Sequence, residues 1–277
     1  MDLIILITIG LLMGLLGGLL GIGGSVVMIP AMTLAFGENQ HLYQASAMIL
    51  NFFVAGASFL AHHQNKVLDY AVLRAMIPAA LTGIVLGVFI SNGPLFAGER
   101  SFVLARVFGA YLLYVAVFNL LKLRKKACST ESTTDQDASY SHAKGQIAMI
   151  GGLTGLGAGL LGMGAGTVAT PMQQILLKMP LRRAMSHSST LIVSMAWLGA
   201  IVKNVTLGRH HVAFSLFADQ PAWLISIRIA AYLVPTAMIG GWIGGHLMHR
   251  LPRNIVRVVF IVVLFLSAVK LLTVKAH

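Results

Sequence analysis

Charge is what this chain has least of. Only 10% of its 277 residues are Asp, Glu, Lys or Arg, against roughly 25% in soluble globular domains. A further 57% are hydrophobic, and the mean hydropathy is +0.83. That balance excludes a water-soluble core and leaves a polytopic membrane protein. Acidic residues are scarcer still. Asp2, Glu38, Asp69, Glu99, Glu131, Asp135, Asp137 and Asp219 all fall at a terminus, in a loop or in a polar linker, none within an apolar run. Cation transporters and proton pumps keep a carboxylate at membrane depth, so the pattern argues against a cationic substrate and against an Asp/Glu proton relay. Cysteine is nearly absent: Cys128 stands alone in the linker, which excludes an internal disulfide.

Other chemistries are missing as well. There is no GxSxG, HExxH or P-loop, so neither hydrolysis nor ATP-driven transport is indicated; we read the chain as not an enzyme and expect no cofactor. The histidine pairs His62-His63, His210-His211 and His246/His249 lack a neighbouring carboxylate or cysteine to complete a zinc set, and no metal is expected. The net charge of +12 is not a nucleic-acid footprint, because the Lys and Arg residues lie between apolar runs, where headgroups and topology demand them. The amino-terminal stretch lacks the basic n-region of a signal peptide and opens a repeated motif, so it is read as structure.

That motif is the most informative feature present. Gly14, Gly18, Gly21, Gly23 and Pro30 recur as Gly155, Gly159, Gly162, Gly164 and Pro171, at a constant offset of 141. Beyond it, Ala45 pairs with Ala184 at offset 139, and Pro78, Gly83 and Gly87 pair with Pro235, Gly240 and Gly244 at offset 157. The change places an insertion around GRHHVAFSLFADQPAWLIS (208–226), whose aromatic residues suit a segment lying along the membrane surface. The Gly83/Gly87 and Gly240/Gly244 pairs have the small-xxx-small spacing that lets helices approach closely.

Apolar runs lie at about 3–36, 44–61, 71–91, 102–123, 146–178, 185–203, 226–248 and 254–273. A span needs about 20 apolar residues. Six runs fit one span each; the first and fifth are too long for one and too short for two. With glycines and a proline inside, they are expected to be broken or re-entrant helices. Such backbone is tolerated at membrane depth only where protein or a cavity surrounds it. The expected fold is therefore all-α, in two repeated halves of about four transmembrane segments: 1–123, a polar basic linker at 124–145, and 146–277. Lys122, Arg124, Lys125, Lys126 and Lys144 place the linker in the cytoplasm. Inverted halves are favoured, because transporters built that way bring broken helices together near the midplane.

Glycine breaks expose backbone N–H groups at half-helix N-termini, where the helix dipole is positive, and this favours an anion. The candidate site comprises Gly23, Gly24 and Ser25 from the first break and Gly164, Ala165, Gly166 and Thr167 from the second. Asn51 and the run Ser186, His187, Ser188, Ser189 and Thr190 are polar residues in apolar helices and need partners or a polar cavity. Of these, Asn51, His187, Ser188 and Thr190 join the candidate set. His187 is suited to carry a proton near neutral pH and couple it to transport. Most of Arg74, Arg106, Lys203, Arg228 and Arg257 are read as interfacial snorkellers, with one of them left open as a group that attracts anions to a vestibule.

The duplicated glycine–proline motif, its second copy after a polar linker, and the PxxxxGxxxG segments together resemble the TauE/SafE family of membrane permeases. The resemblance runs from about 10 to 273. It implies a non-ATP transporter of the bacterial inner membrane that exports sulfite or organosulfonate-type anions. A passive anion channel, or a permease for a different small anion, is the alternative. Expected partners are a small anionic substrate and membrane lipid, with a homo-oligomer compatible and nucleic acid not expected. Where the family often shows Ala-x-Gly-Thr-Ser, this chain has Ala45-Ser46-Ala47-Met48-Ile49 and Ala184-Met185-Ser186-His187-Ser188, and Ala165 stands where glycine is usual. These departures bear on the substrate.

Overall fold

The computed structural model describes residues 2–37, 39–64, 68–93, 96, 101–126, 144–208 and 220–273. Among them the chain forms ten helices and no strands. These are α1 (Asp2–Leu20), α2 (Ser25–Phe36), α3 (Gln40–Gln64), α4 (Tyr70–Ser91) and α5 (Ser101–Lys126), then α6 (Lys144–Leu161), α7 (Gly166–Leu176), α8 (Leu181–Leu207), α9 (Ala222–Arg250) and α10 (Arg253–Leu272). Five of them, in α3, α4, α5, α8 and α9, are long and apolar enough to cross a membrane. The apolar stretch described in α10, Ile261–Leu272, is shorter than a span. Large apolar side chains cover the outside, Val205 at 79% exposure among them, a surface that lipid accommodates and water does not.

Both long runs break where expected. α1 stops at Gly21 (φ +60°) and α6 at Gly162 (φ +69°), left-handed conformations that glycine adopts without a Cβ clash. After three further residues in each case, α2 and α7 begin. Two sequence boundaries move. α5 runs on to Lys126 and α6 begins at Lys144, so helices claim both ends of the 124–145 linker; 127–143 lies outside the described residues. Of the surface segment proposed at 208–226, residues 209–219 also lie outside them. Its last residues, Ala222–Ser226, are the first turn of α9 instead, started by Pro221 in an extended conformation.

α1 lies along α9, α4 along α6, α5 against α10, and α3 packs on both α8 and α9. The first two pairings depend on glycine. A Cβ on Gly14 or Gly18 would meet the backbone of Ala237 or Gly241, and one on Gly240 or Gly244 the backbone of Leu11 or Leu15. Likewise Gly155 and Gly159 sit on Ala80 and Ile84, and Gly83 and Gly87 on Gly152 and Leu156. The repeated motif thus does two jobs. Its first glycines bring helix backbones into contact, and its last ones interrupt the helix.

Candidate functional site

The two breaks meet each other. A Cβ on Gly23 would lie 3.0 Å from the Gly164 Cα and 2.7 Å from Asn51 Oδ1. One on Gly166 would strike the backbone of Gly21 and Ile22. Eight of the expected residues, Gly23, Gly24, Ser25, Asn51, Gly164, Ala165, Gly166 and Thr167, therefore converge at one buried centre. Ser25 ties it together. Its N–H donates to Asn51 Oδ1 (3.2 Å), and its Oγ accepts from the N–H of Gly164 (2.8 Å). Two backbone donors expected to face an anion are thus engaged by protein groups. The Thr167 hydroxyl donates within its own turn, to Met163 Sδ at 2.8 Å and to the Gly164 carbonyl at 3.2 Å.

Proline sets the next layer. Pro30 and Pro171 lie inside α2 and α7 and lack the N–H that would bond the carbonyl four residues back, leaving Val26 and Thr167 carbonyls free. Each is claimed by a hydroxyl from a distant helix: Ser267 Oγ of α10 donates to the Val26 carbonyl (2.8 Å), and Tyr111 Oη of α5 to the Thr167 carbonyl (2.9 Å). Buried backbone acceptors need such partners at membrane depth. Replacing Tyr111 with phenylalanine is expected to lower the stability of the detergent-purified protein by about 1–3 kcal/mol, the cost of stranding a buried acceptor. A thermal midpoint unchanged from wild type would show the bond to be dispensable. Tyr111 and Ser267 escape a sequence reading because nothing local marks them, although the prolines announce that some donor must come.

The polar run of α8 divides. Ser188 Oγ donates to the Ala184 carbonyl (2.8 Å) and accepts from Thr170 Oγ1 of α7 at 2.9 Å. Thr190 donates back to the Ser186 carbonyl (3.1 Å), so a bond within its own helix satisfies it. His187 turns elsewhere: its Nε2 accepts the backbone N–H of Asp69 at 3.0 Å. Asp69 caps α4, accepting from the N–H groups of Ala71 and Val72, and pairs with Arg183 at 3.3 Å. Since Nε2 is an acceptor, His187 is the neutral Nδ1–H tautomer, and that buried Nδ1 has no partner. The Asp69 carboxylate therefore reaches Arg183 of α8 from the N-terminal end of α4, just outside that span.

Gln173 of α7 is fully buried, with neither side-chain Nε2 nor Oε1 bonded. It stands one turn past Thr170 and is a polar residue that the sequence reading passed over. Lys203 corrects that reading outright. It is no snorkeller: it is 0% exposed, and its Nζ bonds Ser91 Oγ (2.7 Å), Asn92 Oδ1 (3.0 Å) and His41 Nδ1 (3.1 Å). Neutral acceptors at a helix end hold the ammonium inside, where a long stem would otherwise reach for the headgroups. A groove of about 420 Å³ between α3 and α9, lined by Phe52, Phe53, Leu60, Met238, Ile239 and Trp242 among others, is almost wholly apolar. It offers an anion nothing.

A chain of apolar helices broken by glycine at two meeting points calls for comparison with known membrane proteins. The family model described as Sulfite exporter TauE/SafE matches residues 6–271. The chain belongs to that family. Within it, the protein resembles two proteins named "Probable membrane transporter protein MamO". The one from Paramagnetospirillum magneticum is 25% identical over 98% of this chain and 45% of its own length. The one from Magnetospirillum gryphiswaldense is 24% identical over the same shares. The chain thus spans less than half the length of these two relatives. It also resembles "Probable membrane transporter protein YunE" of Bacillus subtilis, at 24% identity over 98% of both chains. No solved structure matches it. As a TauE/SafE member with five helices, among the described residues, long and apolar enough to cross a membrane, the chain is a multi-pass membrane protein.

Proposed function

We propose that this TauE/SafE protein is a secondary transporter that exports a small anion, sulfite or an organosulfonate-type compound, across a bacterial cytoplasmic membrane. The halves 1–123 and 146–277 would rock against each other as inverted repeats, with the linker in the cytoplasm. The observation that carries the reading is the meeting of two half-helix starts, α2 and α7, at one buried polar centre. Positive dipole ends converging there favour an anion.

Reciprocal packing supports two related halves. Exchanging α1–α5 for α6–α10 turns the α1·α9 contact into α6·α4, α3·α9 into α8·α4, and leaves α3·α8 and α5·α10 in place. Gly21 abuts Met185 of α8 while Gly162 abuts Gln44 of α3, again an offset of 141. Those contacts fall on the residues next to Ala45 and Ala184, the pair matched at offset 139. The proline-freed carbonyls follow the same exchange, Ser267 on α10 answering Tyr111 on α5.

Uptake of radiolabelled sulfite, sulfate, thiosulfate, taurine and sulfoacetate into proteoliposomes, with and without a pH gradient, tests this. Saturable movement of one anion, with counterflow, is expected. Flux linear in concentration without counterflow would instead select a passive channel, and no movement by folded protein would remove the sulfur-anion assignment. His187, which faces Asp69 and Arg183, can take a proton at Nε2 only by giving up the Asp69 N–H. Proton uptake would thus loosen the start of α4 from α8. In His187→Gln the ratio of uptake with a gradient to uptake without it is expected to fall towards one; an unchanged ratio removes His187 from coupling.

A further inference from the structure

The surroundings of Lys203 determine where each proton lies. Nζ has donors only, so Ser91 Oγ must accept from it. The Ser91 proton then points to Gln44 Oε1 at 3.4 Å, which sets the Gln44 amide: its NH2 group faces the other way and is unbonded, although Gln44 is fully buried. His41 Nε2 lies 2.9 Å from the Phe96 carbonyl, an acceptor, so Nε2 carries the hydrogen and Nδ1 accepts from Lys203. Asn92 accepts from Lys203 through Oδ1 and donates through Nδ2 to Thr206 Oγ1 at 2.7 Å. All three ammonium hydrogens go to neutral acceptors.

None of the three partners is a carboxylate, and among the described residues no ion pair to Lys203 is present; a buried ammonium held only by neutral groups carries a penalty of several kcal/mol. The C-terminal end of α4, where Ser91 and Asn92 lie, contributes only the partial negative charge of a helix dipole. Unused donors lie on α3, the helix that carries His41, one of them on the residue whose Oε1 accepts from Ser91. Gln40 and Gln44, one turn apart on α3, both have buried NH2 groups without a partner. Unpartnered amide donors on a helix joined to a buried ammonium are complementary to an oxyanion and to no cation. The cluster is also connected to the centre, for the Gln44 side chain packs directly on Gly162 at the second break.

We propose that Lys203, with the amide groups of Gln44 and Gln40, forms a second binding station for an oxyanion, adjoining the second glycine break. It rests on the reading of the chain as an anion transporter and adds a fixed positive charge, which the glycine breaks themselves lack. Without a ligand His41, Ser91 and Asn92 hold the ammonium; an arriving oxyanion takes one or more of its hydrogens together with the two amide donors. A purely structural role, pinning α3, α4 and α8, accounts for the three bonds but not for the unpartnered amides.

The test measures binding apart from flux. The full chain, purified in detergent, is heated in sulfate or thiosulfate and, at equal ionic strength, in gluconate. A ligand that binds the folded state alone raises its midpoint. Wild type is expected to be stabilised by the oxyanions, with Lys203→Met losing most of that increment and Lys203→Arg keeping it. Gln44→Leu, which leaves the cation in place, is expected to weaken the apparent affinity several-fold. No stabilisation of wild type, or an equal increment in wild type and Lys203→Met, overturns the station. Should Lys203→Met not fold, Gln44→Leu decides, and an undiminished affinity overturns it. Failure of uptake alongside an oxyanion increment that depends on Lys203 would count against transport and leave the station standing.

Discussion

Replacing Gly164 with alanine is expected to reduce anion uptake by about two orders of magnitude, the change that corresponds to the upper end of the roughly 1–3 kcal/mol cost of overpacking. The added methyl would fall on the Ile22 carbonyl and within 2.8 Å of the Gly23 Cα. Both obstacles are backbone, with no flexible side chain able to swing aside. The two breaks would have to part, and the bond from the Gly164 N–H to Ser25 Oγ would go with them. Gly56→Ala is the control, because a Cβ there meets nothing within 4 Å and alanine favours a helix. Uptake by Gly164→Ala within about twofold of wild type, well inside that cost, would sink the claim that the meeting of the breaks is the transport centre.

The second large effect concerns folding. Gly155→Leu is expected to cost at least about 3 kcal/mol and to remove most monodisperse protein from detergent extracts, since overpacking of this size forces backbones apart. A Cβ on Gly155 already lies 2.8 Å from the Ala80 carbonyl carbon, at the α4–α6 contact. Three residues earlier on the same helix, Gly152 has its nearest neighbour, the Ala79 carbonyl oxygen, at 3.8 Å. Gly152→Ala is therefore expected to stay within about 0.5 kcal/mol of wild type. If Gly155→Leu melts at the wild-type temperature, close glycine packing does not hold α4 to α6.

Much of the helical plan was legible beforehand. Run length and glycine placement marked both interruptions, because a left-handed turn inside an apolar helix leaves glycine as the ready solution. The small-residue spacing at Gly83/Gly87 and Gly240/Gly244 announced close packing, and contact with α6 and α1 bears it out. Lys203 was not legible. A lysine near the end of an apolar run looks the same whether its stem reaches water or is turned inward by Asn92 and His41, residues 111 and 162 positions away. Asp69 was placed correctly outside the spans, yet its backbone N–H reaches His187 across 118 residues, a contact that no local pattern encodes.

Sequence by itself determined the solvent this protein lives in, the helical class, the family and the two points where helices must break. Those follow from hydropathy, run length and backbone sterics, which act over a few neighbouring residues. Tertiary structure decided which polar groups are spent on one another and which are left without a partner. Ser25 closes on Gly164, Tyr111 and Ser267 answer the prolines, and Lys203 is held among neutral acceptors. Hydrogen-bond partners in a bundle of long helices are chosen by proximity in space between residues far apart in the chain, and proximity exists only once the helices have packed.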